Sequence, residues 1–190
     1  MASIVGGLLV GHFQKKAVQQ EHQNAIHRQK GEEKTQVQSF LGGIHVELET
    51  LWNLYQERVG TALENLNPGD PFPLYFMANK DYFTVFTSNA HLLGKIQDPG
   101  LRTTIIQGYT TAKALLDTYS TNNYFLQQRD HFDALYNQTQ SPAIQQTAQA
   151  WLNGLKDYAP KLRQAHDELK QIVDDLIAKL KAIGIPNQGP

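Results

Sequence analysis

Apolar residues recur along this chain in alternating steps of three and four, the mark of helices that each bury one stripe. The clearest run is Val37, Leu41, Ile44, Leu48, Leu51, Tyr55, Val59, Ala62 and Leu66, which predicts a first long helix over 37–66. Glu49, Asn53, Gln56, Glu57 and Glu64 fall off that stripe, and Gly42-Gly43 within it reads as a close-packing point. Asn67-Pro68-Gly69-Asp70-Pro71-Phe72-Pro73 then ends the helix, because prolines and a glycine at this density cannot continue it. A second helix is expected over 79–96, with Asn79 as its N-cap and Tyr82, Phe83, Phe86, Ala90, Leu93 and Ile96 on its stripe.

Asp98-Pro99 supplies a cap and a favoured first residue for a third helix. Its stripe is Leu101, Ile105, Gly108, Ala112, Leu115, Tyr119, Asn122 and Leu126. It continues through Phe132, Leu135 and Tyr136, with a polar interruption at Asn122-Asn123. Ser141-Pro142 repeats the start signal, and Ile144, Ala148, Trp151, Leu155 and Tyr158 form a fourth stripe. Ala159-Pro160 predicts a kink or a break. Beyond it, Leu162, Leu169 and Leu176 stand seven apart, with His166, Val173 and Leu180 offset by four. That is a heptad-like, coiled-coil seam, suited to a bundle or to a partner helix.

Upstream, residues 14–38 are polar and glutamine-rich and read as a helical stalk, with Gly31 its weak point. No segment alternates apolar and polar residues as a half-buried strand does. The expected fold is all-α: an antiparallel four-helix bundle, five helices if Pro160 breaks the last, with an extended N-terminal helix. The expected organisation is an apolar tip and stalk over 1–36, the bundle over 37–183, and a disordered tail over 184–190.

The tip changes this picture. Residues 1–13 contain no Asp, Glu, Lys or Arg and carry Ile4, Val5, Leu8, Leu9, Val10 and Phe13. Lys15 and Lys16 follow at once, then Arg28 and Lys30. As a helix this stretch rises roughly 20 Å, against a hydrocarbon core of about 30 Å. It also lacks the basic start and cleavage site of a secretory signal. Three readings stand: a short membrane anchor, an interfacial or partner-binding segment, or an ordinary helix start lying on the bundle. Gly7 and Gly11 give the GxxxG spacing that lets helices approach closely in lipid. If the tip inserts, the lysines favour a body on the cytoplasmic face of the membrane; otherwise the protein is expected in the cytoplasm.

Composition narrows the function classes. Lys and Arg number 17 against 18 Asp and Glu, so the basic excess of a nucleic-acid binder is missing. There is no cysteine, which excludes disulfides, thiol nucleophiles and Cys-based metal sites. No Glu-x-x-His occurs, so a carboxylate-bridged metal pair of the bundle type is not expected. His45 and Glu49 share one helix face, but Glu47 is out of phase with them, and His45 reads as a residue at the core border. None of the five serines stands in a nucleophile elbow, and no phosphate-binding glycine loop occurs. No enzyme activity, cofactor or metal is expected. Polar residues flanking the stripes are a different matter. Glu47, Tyr82, Asn89, Tyr109, Lys113 and Asn123 form a candidate polar or ligand cluster, with Arg58 nearby in the pattern. The aromatic run Tyr75, Phe76, Tyr82, Phe83 and Phe86 reads first as core and second as a ligand-pocket wall.

Several short motifs carry a resemblance. They are Ile44-x-x-Glu47, Pro71-Phe72-Pro73-Leu74, Tyr82-Phe83 and Asn89-Ala90-x-x-Leu93-Gly94-x-Ile96, continued by Leu101, Tyr109, Lys113 and Asn122-Asn123. Over about residues 40–125 the chain resembles a loose class of small uncharacterised bacterial proteins with one N-terminal membrane helix and a helical cytoplasmic body. The resemblance implies a membrane tether and no established activity. This chain departs from the class in the shortness of its apolar tip. The leading expectation is a membrane-tethered helical module that contacts a protein partner or a second copy, with the membrane met through residues 1–13. A small-ligand sensor bundle is the alternative, its ligand left open, and an immunity or phage-exclusion role is a third.

Overall fold

The computed structural model describes residues 3–77 and 80–185, with side chains from Lys16 onward apart from Ala17 and Lys80. The membrane-tip side chains Ile4, Val5, Leu8, Leu9, Val10 and Phe13 and the expected cap Asn79 therefore lie outside the described residues. Among the described residues every regular element is helical, as the periodicity predicts. Helix α1 spans Ser3–Tyr55 and passes directly into a π-turn, Gln56–Gly60, and a last turn, α2, at Thr61–Glu64. Tip, stalk and first bundle helix are thus one rod, and neither Gly31 nor Gly42-Gly43 interrupts it. Every described side chain over 18–36 is exposed, and burial starts with Val37 and Phe40.

The second expected helix is broken into three pieces. A 3-10 turn at Lys80–Tyr82 leads to α3, Thr84–Asn89, and a second 3-10 turn follows at Ala90–Lys95. Phe83 takes a non-helical conformation between the first two pieces, and Asn89 does so between the last two. The Asn89 amide donates to the Val85 carbonyl at 2.9 Å, the local side-chain competition that makes asparagine a poor helix interior.

Helices α4, Pro99–Thr139, and α5, Pro142–Ala182, have 41 residues each and pair along their length as an antiparallel hairpin. The Asp98 carboxylate caps α4 by accepting from Gly100 and Leu101 at 2.8 and 3.1 Å. Gln140, in the left-handed region at φ 52°, turns the chain into α5. Pro160 does not break α5. It lies on the exposed side, as does Lys156, whose carbonyl loses its partner, so water meets that carbonyl and the seam stays packed. That seam, Leu162, His166, Leu169, Val173, Leu176 and Leu180, is buried inside the bundle. Gly184, at φ 78°, closes α5: its amide donates to the Lys181 carbonyl and that of Ile185 to Leu180. Ile185 is buried, so residues 184–185 belong to the folded body and not to the expected tail; residues 186–190 lie outside the described residues.

The fourth member of the bundle is the segmented stretch 80–95, set against α1, while α4 and α5 supply the other two long members. The proline-rich loop is strapped to α4. Phe72 is fully buried, and Asn122 donates to its carbonyl at 3.4 Å. Asn123 grips the backbone of Phe76 from both sides, accepting from its amide at 3.1 Å and donating to its carbonyl at 2.9 Å. The Tyr75 hydroxyl donates to Asp130 at 2.8 Å. The polar interruption in the α4 stripe is thus a pair of loop anchors. From α5, Arg163 donates to the carbonyls of Leu63 and Leu66, placing a cation at the C-terminal end of the first rod.

Asn123→Ala leaves both backbone groups of Phe76 without their protein partner. It is expected to lower stability by about 1–2 kcal/mol. It should also speed proteolytic cleavage within 67–77 while α4 stays intact. Urea unfolding and limited proteolysis with mass mapping check both, and an unchanged cleavage rate would contradict the strap.

Candidate functional site

Two buried polar clusters and one cavity sit where the helices converge. The first is built on Glu47. One turn earlier along α1, Gly43 has no side chain in the path of α3; a Cβ there would lie 2.8 Å from the Val85 methyl Cγ1. The close approach brings the Glu47 carboxylate, buried at 8% exposure, onto the first turn of α3. It accepts from the amides of Val85 at 2.6 Å and Phe86 at 3.2 Å, and from the Thr84 hydroxyl at 3.4 Å. Phe83, at the N-cap position, has no side chain able to do this. The Tyr109 hydroxyl of α4 donates to the same carboxylate at 2.6 Å. Burial, and then the bond to Glu47 and its charge, raise the Tyr109 phenol well above its ordinary range. Phe86 stacks on the Tyr109 ring with centroids 4.0 Å apart, and Phe83 meets it edge-on at 5.4 Å.

Of the six residues in the expected cluster, Glu47 and Tyr109 meet directly. Lys113 is exposed one turn further along α4, with Nζ 5.9 Å from the Phe83 ring centroid. Tyr82 lines the cavity described below, Asn89 is occupied within α3, and Asn123 holds the loop. The structure therefore pairs two of the six and gives each of the other four its own contacts.

The second cluster was not legible as a site. Tyr55 and Tyr119 stand on apolar stripes, and His166 occupies a seam position among leucines; that last placement is the one sequence signal. His166, 1% exposed, lies between the Tyr55 hydroxyl at 2.8 Å on Nδ1 and the Glu64 carboxylate at 3.0 Å on Nε2. The carboxylate favours the tautomer protonated on Nε2, so Nδ1 accepts from Tyr55. The Tyr55 oxygen, 3.2 Å from that of Tyr119, then accepts from Tyr119. Lys170 at 2.7 Å and Gln56 at 3.2 Å complete the Glu64 shell. Burial pushes the Tyr119 phenol up to about 12 and raises Tyr55 further, with Tyr119 adding to that rise. The result is a continuous chain of hydrogen bonds from the core to the Glu64 carboxylate.

The cavity has a volume of about 70 Å³ and lies between α1, Phe76, the turn at Tyr82 and the inner faces of α4 and α5. Its lining is mostly apolar, with Arg58, Trp52, Tyr55 and Tyr82 the residues that carry polar atoms. His45 is fully buried, not at the core border, and neither ring nitrogen has a hydrogen-bond partner among the described residues. Among the described residues no three His, Asp or Glu side chains converge as metal ligands do. No protein-family model, curated protein or solved structure matches the chain, so the resemblance to small membrane-tethered bacterial proteins rests on its sequence motifs.

The Glu64 carboxyl is pulled from its usual 4.5 down to about 2, first by Lys170, then by Gln56 and His166. A depressed carboxylate stabilises the fold above its unfolded pKa, and that contribution is lost as pH falls through the folded one. Wild-type stability should therefore drop as pH falls from about 4.5 to about 2. Glu64→Gln should flatten the curve in that window. Equal slopes for the two proteins in denaturant titrations would contradict the assignment.

Proposed function

We propose that this chain is a membrane-tethered helical interaction module, with its bundle displayed on the cytoplasmic face by a helical stalk. The observation that carries the reading is the uniform exposure of α1 over 18–36, in a protein whose heptad seam is already covered from within. A helix standing alone in water gains nothing from packing and is marginal at this length. Its use is as a spacer, and a spacer needs something at its far end. The chain has there the apolar residues Ile4, Val5, Leu8, Leu9, Val10 and Phe13. Lys15, Lys16, Arg28 and Lys30 follow, against the single acid Glu21, in the stretch before Gly31. Apolar side chains with cations behind them suit an anionic lipid surface.

Among the described residues no helix is long and apolar enough to cross a membrane. The attachment in this reading is interfacial and reversible, with the lysines at headgroup level. The bundle carries exposed apolar side chains, including Val46, Ile106 and Tyr124, for contact with a protein partner.

The full chain is expected to float with vesicles of phosphatidylglycerol and phosphatidylcholine. Deletion of 1–13 should leave it at the bottom of the gradient with its helical circular dichroism and melting retained. Lys15→Glu with Lys16→Glu should weaken flotation, and raised salt should do the same. Failure of the full chain to float, or equal flotation after the deletion, would refute the tether.

A further inference from the structure

The cavity and Arg58 point to a second property, independent of whether the stalk meets lipid. A straight α-helix running on from Tyr55 would turn its surface smoothly; the π-turn at Gln56–Gly60 inserts one residue instead. Every residue after the insertion is rotated by roughly 100° from its regular position. Such turns are rare and recur at functional sites. Here Gly60 is needed for it, since a Cβ would lie 2.9 Å from the Tyr55 ring. The turn carries Arg58 into the cavity wall, beside Tyr82 and Trp52. Arg58 is exposed, and no carboxylate among the described residues pairs with it, whereas Arg129 is paired with Asp130 and Arg163 is spent on helix carbonyls.

We propose that this cavity binds the alkyl end of a short aliphatic carboxylate, whose carboxylate group rests on Arg58. The size sets the alkyl part. A volume of about 70 Å³ accepts a branched group of a few carbons and excludes an aromatic ring, since benzene occupies an apolar cavity of ~150 Å³. The charge sets the head group: a guanidinium offers two parallel N–H donors that match a carboxylate.

The probe is isovalerate, titrated into the full chain carrying Trp151→Phe so that Trp52 alone reports by fluorescence. Saturable quenching and a raised melting temperature are expected. Acetate, which lacks the branched body, and isoamyl alcohol, which lacks the charge, should each bind at least about tenfold more weakly. Arg58→Gln, at an exposed position, should cost isovalerate about tenfold or more, and Ala112→Leu, which fills the cavity, should abolish the response. No saturable change with isovalerate, an Arg58→Gln titration matching the unsubstituted one, or a folded Ala112→Leu protein that still binds would each overturn the proposal. If Ala112→Leu fails to fold, the Arg58→Gln comparison decides.

Discussion

A single carboxylate, that of Glu47, holds three elements together. It belongs to α1, caps α3 and takes the Tyr109 hydroxyl of α4. Helix α3 has six residues, too few to persist on its own propensity. Its first amides would be half-buried and unpaired without Glu47, and Glu47 would be a buried charge without them. Each side removes the other's desolvation cost, which is why losing either partner is expensive. The turn that carries Tyr82 and Phe83 precedes α3 directly, so one wall of the cavity rests on this contact as well.

The long elements were legible because a stripe that repeats over many turns leaves little ambiguity. Val37 to Leu66, Leu101 to Tyr136 and Ile144 to Leu180 all became helices on that ground. The π-turn shifts the stripe by one residue, so Leu63 is buried where the spacing had placed Ala62, which is exposed. The stretch 79–96 misled because its aromatic spacing fits a helix, whereas its backbone is governed by Glu47 from another element and by Asn89 bonding to its own carbonyl. Pro160 was read as a kink or a break from chain chemistry alone. Its exposed position in α5, which lets water replace the missing bond, depends on tertiary packing.

Polar residues were the harder part, and for one reason. A polar side chain on an apolar stripe has its meaning fixed by what lies opposite, and a stripe does not say what that is. Asn122 and Asn123 proved to be anchors for a loop whose prolines leave it few hydrogen bonds of its own. His166 became the middle of a chain from Tyr119 to Glu64, while His45, on an equally apolar face, met no hydrogen-bond partner among the described residues. Of the six residues expected as one polar cluster, Glu47 and Tyr109 meet through a hydrogen bond, and the remaining members serve separate purposes. The seam of α5 fits the same logic, since its heptads are satisfied within the bundle.

The most direct test of the role given to Glu47 is amide hydrogen exchange at Val85 and Phe86. In wild type these two amides should exchange slowly, close to those in the core of α4, despite lying in the first turn of a six-residue helix. In Glu47→Ala they should lose that protection while α4 and α5 keep theirs. Exchange of Val85 and Phe86 at the free-peptide rate in wild type, or unchanged protection in the variant, would contradict the account.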